Sequence, residues 1–238
     1  MRGAALAAGA VALWQGAVTL TGLPPYLLPD PLRVAQALWS ARVALAQAAL
    51  VTGAETVIGF ALGTALGVVL ALACVAPVLR RAILPALTLS QTVPVFALAP
   101  ILTLWFGYGL APKIAVVVLI TVFPVAAACA DGLLNPAAVH MELTRSLGAT
   151  PWQVLRVIRI PSARPHLATG LRIAAVYAPV GAVIGEWVGG SLGLGAMMIQ
   201  ANGRMKTDLV FAALFVTVAL SLLFRAGIGR MADRLARQ

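Results

Sequence analysis

Six apolar blocks, at about 4–23, 51–78, 84–106, 112–131, 167–190 and 208–226, occupy most of this chain. Each is near the roughly 20 residues that a helix needs to cross a hydrocarbon core about 30 Å thick. With 61% hydrophobic and 10% charged residues among 238, and a mean hydropathy of +0.98, the chain has too little polar surface for a water-soluble domain. Lipid is its solvent. The expected fold is all-α: a polytopic membrane protein of about six transmembrane helices, one domain over 1–238 with its core at about 45–230.

The formal net charge of +10 does not point to nucleic acid, because the basic residues stand in ones and twos between apolar runs. They read as topology determinants. The start, Met1-Arg2-Gly3 and then an apolar run to Leu23, has the layout of a signal peptide but is long enough to span, so it is read as an uncleaved anchor with Arg2 inside. Six spans then put both termini in the cytoplasm, with 12 basic residues inside and five outside (Arg33, Arg42, Lys113, Arg204 and Lys206). That asymmetry obeys the positive-inside rule. Cys74 and Cys129 fall inside apolar stretches and read as small hydrophobes.

The four prolines between Leu23 and Pro31 forbid a helix there and make an external crossover. Asp30 then caps a helix with Pro31 at its first position, and Val34, Leu38, Trp39, Arg42 and Leu45 give it a mixed face suited to the interface. In the second block Gly53, Gly59, Gly63 and Gly67, with Ala54 and Ala71, recur at near four-residue spacing, which suits close helix contact. The third block carries Pro85, Pro94 and Pro100 and runs from Gln91 through Phe96 to Gly107-Tyr108-Gly109. An interrupted helix leaves carbonyls that lipid does not tolerate, so this segment is either a lining of a water-filled path or a kink packed on neighbours.

The inside segment at about 132–165 has its own punctuation. Asn135-Pro136 reads as a helix start, with the helix from 137 ending at Leu147 before Gly148. Thr150-Pro151 repeats the signal for a second short helix, which Pro161 is expected to stop. Two short helices meeting at a glycine form a presented knob.

Here a specific likeness appears. Glu142-Leu143-Thr144, Gly148 and Ile158-Arg159-Ile160-Pro161, at spacings of three and nine residues, resemble the cytoplasmic loop signature of bacterial ABC importer permeases. Leu143, Thr144 and Ile160 depart from the usual alanines and leucine. The segments Leu28–Pro31, Gln91–Gly109, Gly185–Trp187, Gly193–Gly195 and Thr207–Ala212 are similar to the nitrate, sulfonate, taurine and thiamine-precursor branch of that family. The resemblance implies a type I importer permease fold in a bacterial inner membrane. It also implies two cytosolic ABC ATPase subunits, an extracytoplasmic solute-binding protein and a second permease copy, with no cofactor and no catalysis in this chain. It assigns ATPase coupling to Glu142, Leu143, Arg145, Leu147, Gly148, Ala149 and Pro161; the interrupted third block and the acid inside the fifth block put Gln91, Pro94, Phe96, Pro100 and Glu186 on the expected translocation path. Glu186 either borders the external gate or sits at the outer headgroups, held by Trp187 and glycine backbone. Glu55 is a similar acid expected nearer the surface. The solute implied is a thiamine-precursor pyrimidine such as hydroxymethylpyrimidine, with aliphatic sulfonate, taurine or nitrate as alternatives.

No phosphate loop, zinc-protease helix or nucleophile elbow is present. His140 and His166 bracket the loop without an acid-partner pattern and read as surface residues. A secondary transporter not coupled to an ATPase is the rival mechanism and predicts embedded coupling carboxylates and an internal repeat. An integral-membrane enzyme would need clustered His, Asp or Ser.

Overall fold

The computed structural model describes residues 2–237, with the side chains of residues 2–7 and of Arg145 outside the description. The roles expected of the Arg2 and Arg145 side chains therefore lie outside the described residues. Most of the rest is helical. α1 (Arg2–Thr21) leads through the proline crossover to α2 (Pro31–Ser40), where the Asp30 carboxylate accepts the Arg33 N–H at 2.8 Å as the expected cap. α3 (Arg42–Ala73) follows after a single residue, so the second span starts nine residues earlier than expected. Val34 and Leu45 are buried inside the protein, while Trp39 stays exposed with the Arg42 guanidinium 4.7 Å over its ring.

The third block is not one interrupted helix. α4 (Pro77–Ser90) and α5 (Val95–Phe106) meet at 102° across residues 91–94, with Pro94 in extended backbone as the cap of α5. Pro85 and Pro100 lie inside these helices without ending them. α6 (Leu110–Leu134), α9 (Ile160–Gly189) and α11 (Thr207–Ala236) are long and apolar, and α10 (Leu194–Gly203) is a short helix between the last two. Among the described residues four helices are long enough and apolar enough to span, or five if α4 and α5 count as one broken span. α1 is 20 residues long, but part of it lies outside the described side chains.

α9 is the most enclosed span: 56% of its apolar stretch is buried, against 17% for α11. α6 lies between α3 and α9, and small residues set the spacing on both sides. A Cβ on Gly59, Gly63 or Gly67 of α3 would run into Val117, Thr121 and Val125 of α6, a four-residue ladder facing a four-residue ladder. On the adjoining face a Cβ on Gly170 of α9 would lie 2.7 Å from the Pro124 carbonyl, and one on Gly185 would lie 2.8 Å from Lys113 Cα. Lipid supplies no hydrophobic drive between helices, so this close backbone approach and its dispersion contacts hold the three together. Gly53 and Ala54 do not belong to the ladder: Ala54 is exposed, and a Cβ on Gly53 would meet only Leu220, at 3.7 Å.

The 132–165 segment also differs from its expected form. Asn135 is the C-cap of α6, its amide donating to Asp131 Oδ1 at 2.8 Å, and α7 (Ala138–Ser146) begins three residues later. Thr150 caps α8 (Pro151–Val154) reciprocally with Gln153, as expected. Pro161 does not stop the helix. A π-helical turn over Leu155–Arg159 joins α8 to α9, with the Ile160 N–H bonded to the Leu155 carbonyl. The wider turn carries the chain past Pro161, which then sits in the first turn of α9, where a missing N–H costs nothing. The second helix of the knob is thus the cytoplasm-side start of a span in the expected topology, not a separate short piece. Cys74 and Cys129 are buried in one apolar cluster.

Candidate functional site

Two places on this scaffold collect polar or exposed groups that packing alone does not explain. The first is the end of the bundle where α3 and α6 begin and α9 ends. Glu55 of α3 and Lys113 of α6 form a buried ion pair at 2.7 Å, and the Lys113 ammonium also donates to the Leu192 carbonyl at 3.2 Å. Beside it, fully buried Glu186 of α9 accepts from the Thr52 hydroxyl at 2.6 Å and from the Gly195 N–H at 2.5 Å. Thr52 in turn accepts the Leu194 N–H at 2.9 Å. Glu186 thus satisfies the first turn of α10 as an anionic cap. Gly193 makes the geometry possible: its φ is +117°, and the Glu186 carboxylate occupies the space a Cβ would take.

The turn between α9 and α10 is therefore fastened from three helices. Lys113, one of the basic residues expected on the outer side, is 4% exposed and belongs to this cluster. Glu55 is likewise buried, and its Oε2 has no hydrogen-bond partner among the described residues. Glu186 is held by glycine backbone but not by Trp187, which is half exposed. The sequence pattern does not single out Thr52 or Lys113 as site residues; the signal for them is a lysine at the edge of one apolar block and an acid inside another.

The other residues assigned to the path lie apart from Glu186. Gln91 caps the end of α4 and Pro94 the start of α5, and both are exposed at the break. Phe96 and Pro100 are exposed on α5, and that helix continues into exposed Leu104, Trp105, Phe106 and Tyr108.

The second place is α7. Its end is a Schellman turn: Gly148 at φ +63° lets the Ala149 N–H reach back to the Thr144 carbonyl at 3.0 Å, with Leu147 bonded to Leu143. Val139, Leu143 and Leu147 recur at four-residue spacing and are 73%, 56% and 74% exposed, with Trp152 on α8 also exposed. Glu142 is exposed and Ala149 half-buried. Val139 completes a stripe whose other two members the sequence pattern had singled out. His166 of α9 pairs with Asp131 of α6 at 3.1 Å and Arg172 of α9 with Asp233 of α11, so His166 does have an acid partner, and α9 is tied to both neighbours.

The family model described as "binding-protein-dependent transport system inner membrane component" matches residues 63–237, which include α6, α7, α9 and the α9–α10 turn. The chain belongs to that family. Its relatives include a probable ABC transporter permease of Haemophilus influenzae, 46% identical over 88% of this chain and 86% of that one. A formylaminopyrimidine transport permease of Halalkalibacterium halodurans is 38% identical over 94% and 90%. A taurine transport permease of Escherichia coli K12 is 29% identical over 94% and 84%. Among solved structures, a methionine ABC transporter in an inward-facing conformation aligns with a TM-score of 0.63 at 22% identity, over 83% of this chain and 97% of that one. This permease therefore has the type I importer fold, and it is a membrane protein of a family that works with ATPase and binding-protein partners.

Proposed function

We propose that this permease is the membrane-spanning part of an ATP-driven importer for a pyrimidine of the thiamine-precursor kind. Two copies form the path, two cytosolic ATPases dock on the α7 side, and an extracytoplasmic binding protein delivers solute at the α10 end. Both termini are cytoplasmic in this arrangement. The observation that carries the coupling role is the uncovered stripe Val139–Leu143–Leu147 ending at Gly148. An apolar stripe on a short helix outside the bundle calls for a protein groove to bury it.

The solute assignment is supported by the 38% identity to the formylaminopyrimidine permease against 29% to the taurine permease. The exposed aromatic run of α5 supports a second copy, because it gives the break at 91–94 a protein surface in place of lipid. The chemistry of ATP belongs to the partners, and the permease contributes shape and motion. Proteoliposomes carrying the permease, its ATPase and its binding protein test the reading with labelled hydroxymethylpyrimidine and taurine. ATP-dependent accumulation of the pyrimidine is expected. Accumulation driven by an ion gradient without ATP overturns it in favour of a secondary transporter.

A further inference from the structure

On the open side of the fastened α9–α10 turn lies a recess of about 400 Å³, bounded by the first turns of α3, by Ser191–Gly193 and by α10. That volume is within the usual range for a small-molecule site. Gln47 of α3 and Gln200 of α10 both line it, with Ser191 of the turn, while Val51, Leu192 and Met197 supply apolar wall. Gln47 makes no hydrogen bond among the described residues, and Gln200 makes only a long one, from Nε2 to the Ser191 carbonyl at 3.4 Å. Two carboxamides with free donors and acceptors therefore open onto the same small space.

The wall between them is rigid for a stated reason. Lys113 holds the Leu192 carbonyl, Thr52 holds the Leu194 N–H and Glu186 holds the Gly195 N–H, so the Ser191–Gly193 backbone is pinned on both sides. A pinned wall loses little entropy when a ligand settles against it.

The charge of the recess selects among solutes. None of its lining residues is basic. The nearest cation in the turn's fastenings, Lys113, is already committed to Glu55 and to the Leu192 carbonyl. A sulfonate or nitrate would lie here without a counter-charge, so the recess offers an anion no electrostatic attraction to offset the water it gives up. A planar uncharged heterocycle meets both requirements: its ring faces lie against Met197 and Val51, and its edge donors and acceptors pair with carboxamides, which offer both.

We propose that this recess is the permease's own solute contact site, that Gln47 and Gln200 read the polar edge of an aminopyrimidine ring, and that the fastened turn forms its wall. The proposal rests on the importer reading and narrows its solute to uncharged heterocycles.

The test uses the intact permease–ATPase complex in nanodiscs, without binding protein, and measures retention of labelled hydroxymethylpyrimidine and of taurine. Gln47→Leu and Gln200→Met each remove a polar edge while filling similar volume, and both sites are exposed, so the fold is not at stake; size-exclusion profiles verify this. Pyrimidine affinity is expected to fall about tenfold or more in each variant, with taurine not retained by the wild type. Unchanged pyrimidine retention in both variants overturns the recess while leaving the importer reading intact. Taurine uptake without pyrimidine uptake by the complete wild-type system instead sinks the solute class itself.

Discussion

Buried charge on Glu55, Lys113 and Glu186 sets the sharpest demands on single residues. A carboxylate without its cation in a low-dielectric interior is strongly penalised, so Lys113→Met is expected to destabilise the permease by about 3–5 kcal/mol. Adding Glu55→Gln should recover much of that loss. Thermal unfolding in detergent checks both, and a single Lys113→Met variant as stable as wild type would deny the pair its structural role. Glu186 gives a second, more discriminating contrast. It accepts from Thr52 and from Gly195; Leu leaves the buried Gly195 N–H unpaired at about 1–3 kcal/mol, while the Thr52 hydroxyl keeps only the Ala48 carbonyl. Gln still accepts from Gly195 and donates to Thr52, whose proton then turns to the Ala48 carbonyl 3.1 Å away. Glu186→Gln is expected to fold and assemble, and Glu186→Leu to lose thermal stability at the α9–α10 turn. Equal melting temperatures for the two would refute the cap. The acids were legible in the sequence because charge inside an apolar block stands out. Lys113 was not: three residues from a helix start it looks like a topology flank, and its partner lies 58 positions away.

Helix elements were legible wherever the signal is local. The Asp30 and Thr150 caps and the left-handed Gly148 all follow from short side-chain geometry, and the α3 glycines from spacing alone. Proline was the poor guide. Pro85, Pro100, Pro124 and Pro179 sit inside helices and Pro161 is carried by a π turn, while the one sharp break falls at 91–94. A lost hydrogen bond ends a helix only if nothing else accepts the freed carbonyl, and that depends on neighbours the sequence does not display. The ladder itself is testable with a matched pair. Gly63→Val forces a branched side chain onto Thr121 and should push α3 from α6, at about 1–3 kcal/mol or more for overpacking. Gly53→Val, with only Leu220 nearby at 3.7 Å, should be nearly neutral. Purified yield and melting temperature report the difference, and two equally tolerated variants would remove the ladder from the account.

At the scale of the whole molecule α9 joins the fastened turn at one end to the α7–α8 knob at the other. Glu186 fastens its far end to α3 and α10, while its near end continues through the π turn into α8 beside Gly148. A push on α7 and α8 therefore acts on the most enclosed span, braced at that end by Asp131–His166 and Arg172–Asp233. Such a lever transmits motion only if the knob keeps its shape and its apolar stripe is seated in a partner. Gly148→Val puts a branched residue at φ +63°, a strain of about 1–2 kcal/mol or more, and should unwind the Schellman turn. Leu143→Asp with Leu147→Asp leaves that turn intact but makes the stripe polar. Neither change touches the bundle, so membrane insertion and melting of the permease should stay as in wild type. Both variants should co-purify at least tenfold less ATPase, and the complexes that form should spend more ATP per solute imported. Wild-type co-purification and wild-type ATP-to-solute ratio in both variants would place the ATPase contact somewhere other than α7.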